Sequence, residues 1–147
     1  MKSSIAKSLV GLILVLGCIN QLRVVIQGDW SEKPSMARLR EEAAKLRMPI
    51  GFRTSEDARA FSKVTYLGLA REGYSHQPFD EVVKHFNKLA NKNSWKRKAE
   101  RRNYDRIVLI YCDGAFAHLV EIDQKDNLKI YAGTYWSSSC TSEKYCR

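Results

Sequence analysis

The chain has 147 residues and a mass of 16.9 kDa, which suits one compact domain and excludes two of ordinary size. Hydrophobic residues make up 44% and charged residues 28%, which excludes both a disordered chain and a polytopic membrane protein. Lys plus Arg number 25 against 16 Asp plus Glu, giving a formal charge of +9 and a balance suited to anionic partners.

Residues 1–17 read as a signal peptide or membrane anchor. Lys2 and Lys7 precede an uncharged apolar run from Leu9 to Ile19. A helix of that length spans about 16 Å, roughly half a bilayer's hydrocarbon core, which fits a signal h-region better than a spanning helix. A retained single-pass anchor reaching Ile26 is the alternative. It would bury Asn20 and Gln21 and require Arg23 to snorkel. Val15-Leu16-Gly17-Cys18 resembles the bacterial lipobox, in which a small residue precedes a Cys that becomes lipidated. The resemblance implies lipidation at Cys18, although Val15 and Leu16 depart from its usual residues. Residues 18–34 follow as a spacer broken by Gly28 and Pro34, and 35–147 form a single domain.

The expected elements of that domain are three helices, then strands. Ser35 caps a first helix to about Arg47, with Met36, Leu39, Ala43 and Leu46 on one stripe. Thr54 or Ser55 opens a second helix ending at Gly73, with Ala60, Phe61, Val64 and Leu67 on one face. Pro78 starts a third, running to about Asn91 through Phe79, Val82, Val83, Phe86, Leu89 and Ala90. The basic stretch after it reads as a possible fourth helix capped by Ser94. RIVLIYC and AFAHLVEI then flank Asp113-Gly114, a two-residue hairpin signal, and LKIYAGTYW supplies a third strand. The expected fold class is α+β, with about three N-terminal helices packed on an antiparallel β-meander.

Zinc-site, P-loop, dinucleotide and Ser-hydrolase motifs are absent from the sequence, and no cofactor is implied. Cys112 with His118 is the tempting nucleophilic pair. A two-residue Asp113-Gly114 turn would pair Cys112 with Ala115 and Leu109 with His118, which sends Cys112 and His118 to opposite faces. His76, His85 and His118 are weak candidates for acid–base cleavage of RNA, with nothing in their spacing to bring them together. Metal binding by these three is weaker still, because none sits at i,i+4 from another ligand.

The basic segment is the most informative polar feature. Lys92, Lys96, Arg97, Lys98, Arg101, Arg102 and Arg106 stand against Glu100 and Asp105, seven charges against two within fifteen residues. Trp95 and Tyr104 bracket them, and Arg with aromatic residues suits a binding surface. A solvated face that only aids solubility is the plainer reading. Tyr131, Tyr135, Trp136 and Tyr145 would extend the surface or close the core. In an oxidising compartment Cys140 and Cys146 are the expected disulfide, with Cys112 left as a buried thiol if Cys18 is lipidated. Without lipidation the other pairings stay open.

The function expected from these features is a small exported, envelope-attached, non-catalytic binding protein of the immunity, exclusion or envelope-accessory class. Its partner would be an acidic protein or an anionic envelope surface, with nucleic acid ranked behind both. The alternative is a small basic ribonuclease-like hydrolase using His and Lys/Arg.

Overall fold

The computed structural model of the protein describes residues 33–63, 66–125, 127–138 and 146. The leader, Cys18 and Cys140 lie outside the described residues. Among the described residues, no helix is long and apolar enough to cross a membrane.

Helix α1 spans Met36–Lys45 and is capped as expected, the Ser35 side chain accepting from the Arg38 N–H at 3.2 Å. Its stripe of Leu39 and Ala43, continued by Leu46 just beyond the helix, is buried. Helix α2 spans Phe79–Lys92, with Val82, Phe86 and Ala90 buried on its inner face. Its C-terminus closes in a Schellman arrangement. Ser94 takes a left-handed φ of 58°, and Trp95 N–H reaches back to Ala90 carbonyl at 2.9 Å while Ser94 N–H reaches Asn91 carbonyl at 3.1 Å. Ser94 therefore ends a helix rather than starting one.

The other regular elements of the described chain are strands. Strands β1 (Arg53–Thr54), β2 (Arg59–Lys63), β3 (Tyr66–Tyr74), β4 (Lys96–Arg102), β5 (Arg106–Asp113), β6 (Phe116–Asp123) and β7 (Lys129–Ser137) form one antiparallel sheet. Its order is β1-β3-β7-β6-β5-β4, with β2 sharing the β3 edge beside β1. The expectation of three N-terminal helices on a small meander is thus corrected, among the described residues, to two helices on a mostly β framework of seven strands. The segment expected as the second helix is β1, β2 and β3, and the possible fourth helix is β4.

The cause lies in what covers β3. Leu67 packs beneath α1 with Leu39 and Trp136, while Tyr66 and Ala70 pack on the opposite face with Tyr135. A strand covered on both sides carries apolar residues of both parities. Tyr66, Leu67, Leu69 and Ala70 consequently imitate the i, i+1, i+3, i+4 spacing of a helix. Gly68 marks the difference: the Tyr135 ring lies over it and over Gly133, where a Cβ would collide.

The meander of β5, β6 and β7 forms where expected, with its turn one residue later. Asp113 pairs with Phe116, so Gly114 and Ala115 make the two-residue loop, and Gly114 supplies the positive φ of 57°. The helices share one face of the sheet. Val82, Phe86, Trp95, Ile107, Leu109, Tyr111, Val120, Ile122 and Ile130 form its main core. Cys146 returns to the other face and is bonded to Cys112, with Cα atoms 5.4 Å apart.

Candidate functional site

The basic segment is the outer edge of the sheet. Among the described residues, strand β4 pairs only with β5, and a bulge at Lys98 interrupts the ladder between Arg97 and Ala99. No apolar alternation marks this strand, because nearly every residue of it is exposed. Charged side chains and a bulge are what keep an edge strand from pairing indiscriminately. The same features made it read as a solvated helix.

The segment's charges fall into two groups. On the face toward the helices, Arg97 donates to Asn87 Oδ1 at 2.6 Å and to Glu100 at 2.7 Å, and Arg102 lies 6.0 Å above the Phe79 ring. Arg106, across on β5, pairs with Glu121 at 2.6 Å. Lys92, Lys96, Lys98 and Arg101 are exposed and make no ion pair with a described residue. Tyr104 occupies the hairpin tip between Asn103 N–H and Arg106 carbonyl, bonded at 2.8 Å, and its side chain is fully exposed. Beside the edge, Ser94, Lys96, Arg97, Lys98, Cys112, Asp113 and Gly114 line a cavity of about 410 Å³.

Trp95 leaves the surface. It is 6% exposed, it stacks on His118 with ring centroids 3.9 Å apart, and its indole N–H donates to Asp113 Oδ2 at 3.1 Å. Its expected place among the binding residues is corrected to the core. Trp136 and Tyr135 are buried as well.

Beneath α1 sits a buried polar cluster that sequence reasoning missed. Glu42 is 2% exposed and lies 2.7 Å from Arg38 Nη2 and 2.6 Å from Lys45 Nζ. The same ammonium donates to Asp113 Oδ2 at 2.9 Å. His118, fully buried on β6, shares a hydrogen bond of 2.9 Å between Nδ1 and Thr134 Oγ1, while its Nε2 has no hydrogen-bond partner among the described residues. One donor atom each from Glu42, Asp113 and His118 lie within 4.8 Å of one another. One signal was available: Glu42 falls inside the apolar stripe of α1, between Leu39 and Ala43. Asp113 reads from sequence only as a turn residue, and Thr134 only as a strand residue.

The cluster sets its own charges. Burial lowers the His118 pKa to about 4, Asp113 opposing and Lys45 reinforcing, so its imidazole is neutral at neutral pH. Burial acts to raise the Asp113 pKa, yet hydrogen bonds from Lys45 and Trp95 with the Lys45 charge hold it below the ordinary carboxylate value. The Glu42 hydrogen bond, then that of Asp113, raises the Lys45 pKa.

The three histidines lie in separate settings. His76 is exposed in the loop before α2, and His85 on α2 bonds the Arg47 carbonyl at 2.8 Å. Cys112 and His118 do point to opposite faces. The turn moves both pairings by one residue on each strand, which preserves side-chain parity. Cys112 is no buried thiol, and the expected Cys140–Cys146 bridge is corrected, since Cys146 is taken by Cys112. Spacing favoured the near pair, whereas the fold places Cys146 against Cys112 on β5.

No family model matches this chain, and neither does any curated protein or solved structure.

Proposed function

We propose that the protein is a small exported, envelope-attached, non-catalytic binding protein whose β4–β5 hairpin engages an acidic protein or anionic surface. The observation that carries this reading is Tyr104, fully exposed at the tip of a hairpin whose Lys96, Lys98 and Arg101 have no ion-pair partner among the described residues. A rigid aromatic flanked by cations is the composition of interface anchors, and it costs little side-chain entropy to immobilise. Export is supported by the Cys112–Cys146 bridge, since disulfides persist mainly in oxidising compartments. The ribonuclease reading has less behind it. His76, His85 and His118 have separate settings, and His118 is sealed from substrate beneath Trp95.

The test is binding of the purified protein to native envelope fractions at graded salt. Changing Lys96, Lys98 and Arg101 to Glu should cut binding at least tenfold and leave the melting temperature nearly unchanged, since exposed charges seldom contribute more than about 1 kcal/mol. Tyr104→Ala should weaken binding with the fold intact. Raising salt should weaken the wild type steeply, because screening shortens the field to about 8 Å at physiological ionic strength. Salt-insensitive binding, or a charge-reversed variant that binds as well as wild type, would remove the hairpin from the account. Histidine-dependent degradation of RNA would overturn the non-catalytic reading.

A further inference from the structure

We infer that Glu42, Asp113 and His118 form a binding site for a divalent transition-metal ion of the zinc type, with Lys45 as its built-in competitor. The inference is independent of the hairpin and its partner.

Four observations converge on it. The three side chains come from α1, the end of β5 and β6, yet each offers a donor atom within 4.8 Å of the other two. His118 Nδ1 is engaged by Thr134, which fixes the ring and leaves Nε2 as the free donor. A ligating imidazole is commonly held in this way through its other nitrogen. That Nε2 is fully buried without a hydrogen-bond partner among the described residues, the kind of orphaned polar atom that folded proteins rarely leave. Finally, a cation already rests between the carboxylates: Lys45 Nζ lies 2.6 Å from Glu42 Oε2 and 2.9 Å from Asp113 Oδ2.

The geometry needs only modest adjustment. Zinc bonds of about 2.0–2.2 Å place neighbouring donors roughly 3.3 Å apart, so the triangle must tighten by at most about 1.5 Å. Two carboxylate oxygens and one imidazole nitrogen suit a borderline ion better than a hard one such as magnesium, which asks for six oxygens. Lys45 is the last residue of α1 and its side chain is 39% exposed, so it has room to swing outward. Asp113 is 34% exposed, which leaves a position for a fourth ligand from solvent. Arg38 remains on Glu42 at 2.7 Å and keeps that carboxylate oriented.

The experiment is equilibrium dialysis of chelator-treated full-length protein against Zn²⁺, with metal analysis, followed by titration with Co²⁺ read by fluorescence. Wild type should bind one ion. Lys45→Met should bind at least tenfold more tightly, because the competing ammonium is gone. Asp113→Asn should bind at least tenfold more weakly, and His118→Gln should do the same, with circular dichroism of each variant showing that it is folded. Trp95 stacks 3.9 Å from His118, so Co²⁺ should quench its emission, and Trp95→Phe should bind the ion without that quenching. No stoichiometric ion in either wild type or Lys45→Met would overturn the inference. So would binding that Asp113→Asn and His118→Gln leave unchanged, which would place the ion elsewhere.

Discussion

His118 is neutral in the folded protein and protonates easily once exposed, which makes it a source of acid sensitivity. Its folded pKa is about 4 against an ordinary value of 6.5. Above pH 6.5 neither state carries the proton and His118 costs nothing. Between 6.5 and 4 the unfolded chain binds a proton that the folded one refuses, so stability falls as pH falls. The full loss is on the order of 3 kcal/mol, from a shift of about 2.5 units at 1.36 kcal/mol each. Chemical denaturation of the metal-free protein at a series of pH values should show this slope, and His118→Gln should flatten it. Asp113 adds a loss in the same direction at lower pH, since its folded pKa is depressed and its stabilisation disappears as it protonates. Above His118 sits Trp95, packed against Tyr111 as well, with centroids 6.3 Å apart. Trp95→Ala empties that layer and strands the Asp113 carboxylate without its indole donor. A destabilisation of about 3–5 kcal/mol is expected in urea unfolding. A nearly unchanged midpoint would mean that the ring is not anchoring the core.

At the scale of elements, the two helices were legible because each buries a single face, and the meander because its apolar runs flank a turn signal at Asp113-Gly114. Helix α2 shows Val82, Phe86 and Ala90 at helical spacing, and Ile107, Leu109 and Tyr111 alternate along β5. Strands β2 and β3 were not legible. The first is exposed throughout and so has no pattern, while the second is covered on both faces and so has too much of one. Strand β4 was misread for the reason that β2 carries no signal, and only its pairing with β5 makes it a strand. The candidate site divides similarly: the basic charges stand out in the sequence, whereas a buried cluster assembled from α1, β5 and β6 depends on contacts that no local spacing records. The Schellman end of α2 gives a prediction of its own. Ser94 holds a left-handed φ of 58° without glycine's freedom. Ser94→Gly should raise stability by about 0.5–1 kcal/mol in thermal or urea unfolding. A loss would mean that the Ser side chain contributes more than the conformation costs.

At the scale of the whole molecule, β5 is pinned from both sides at its end. Asp113 turns into the helix face and meets Lys45 and Trp95, while its neighbour Cys112 turns to the opposite face and bonds Cys146. Cys146 is 7% exposed and packs with Ala70, Ala117 and Tyr135, so it is part of a second small core. The bridge closes a loop between positions 34 apart in sequence, which contains β6 and β7. By chain entropy, closing a loop of that length stabilises the fold by about 4 kcal/mol. A ring between Cys140 and Cys146 would have tied down only the tail and left the domain indifferent to reductant. The observed pairing predicts otherwise. Reduction, or Cys146→Ser with Cys112→Ser, should lower unfolding stability by up to about 4 kcal/mol and shift the urea midpoint downward. The ion cluster beneath α1 meets the bridge at adjacent residues of β5, so Asp113→Asn and the loss of the bridge should cost amounts that couple rather than add. Peptide mapping under non-reducing conditions should recover Cys112 linked to Cys146. Recovery of Cys140 linked to Cys146, with stability unchanged by reductant, would overturn this account of what holds the far face of the sheet.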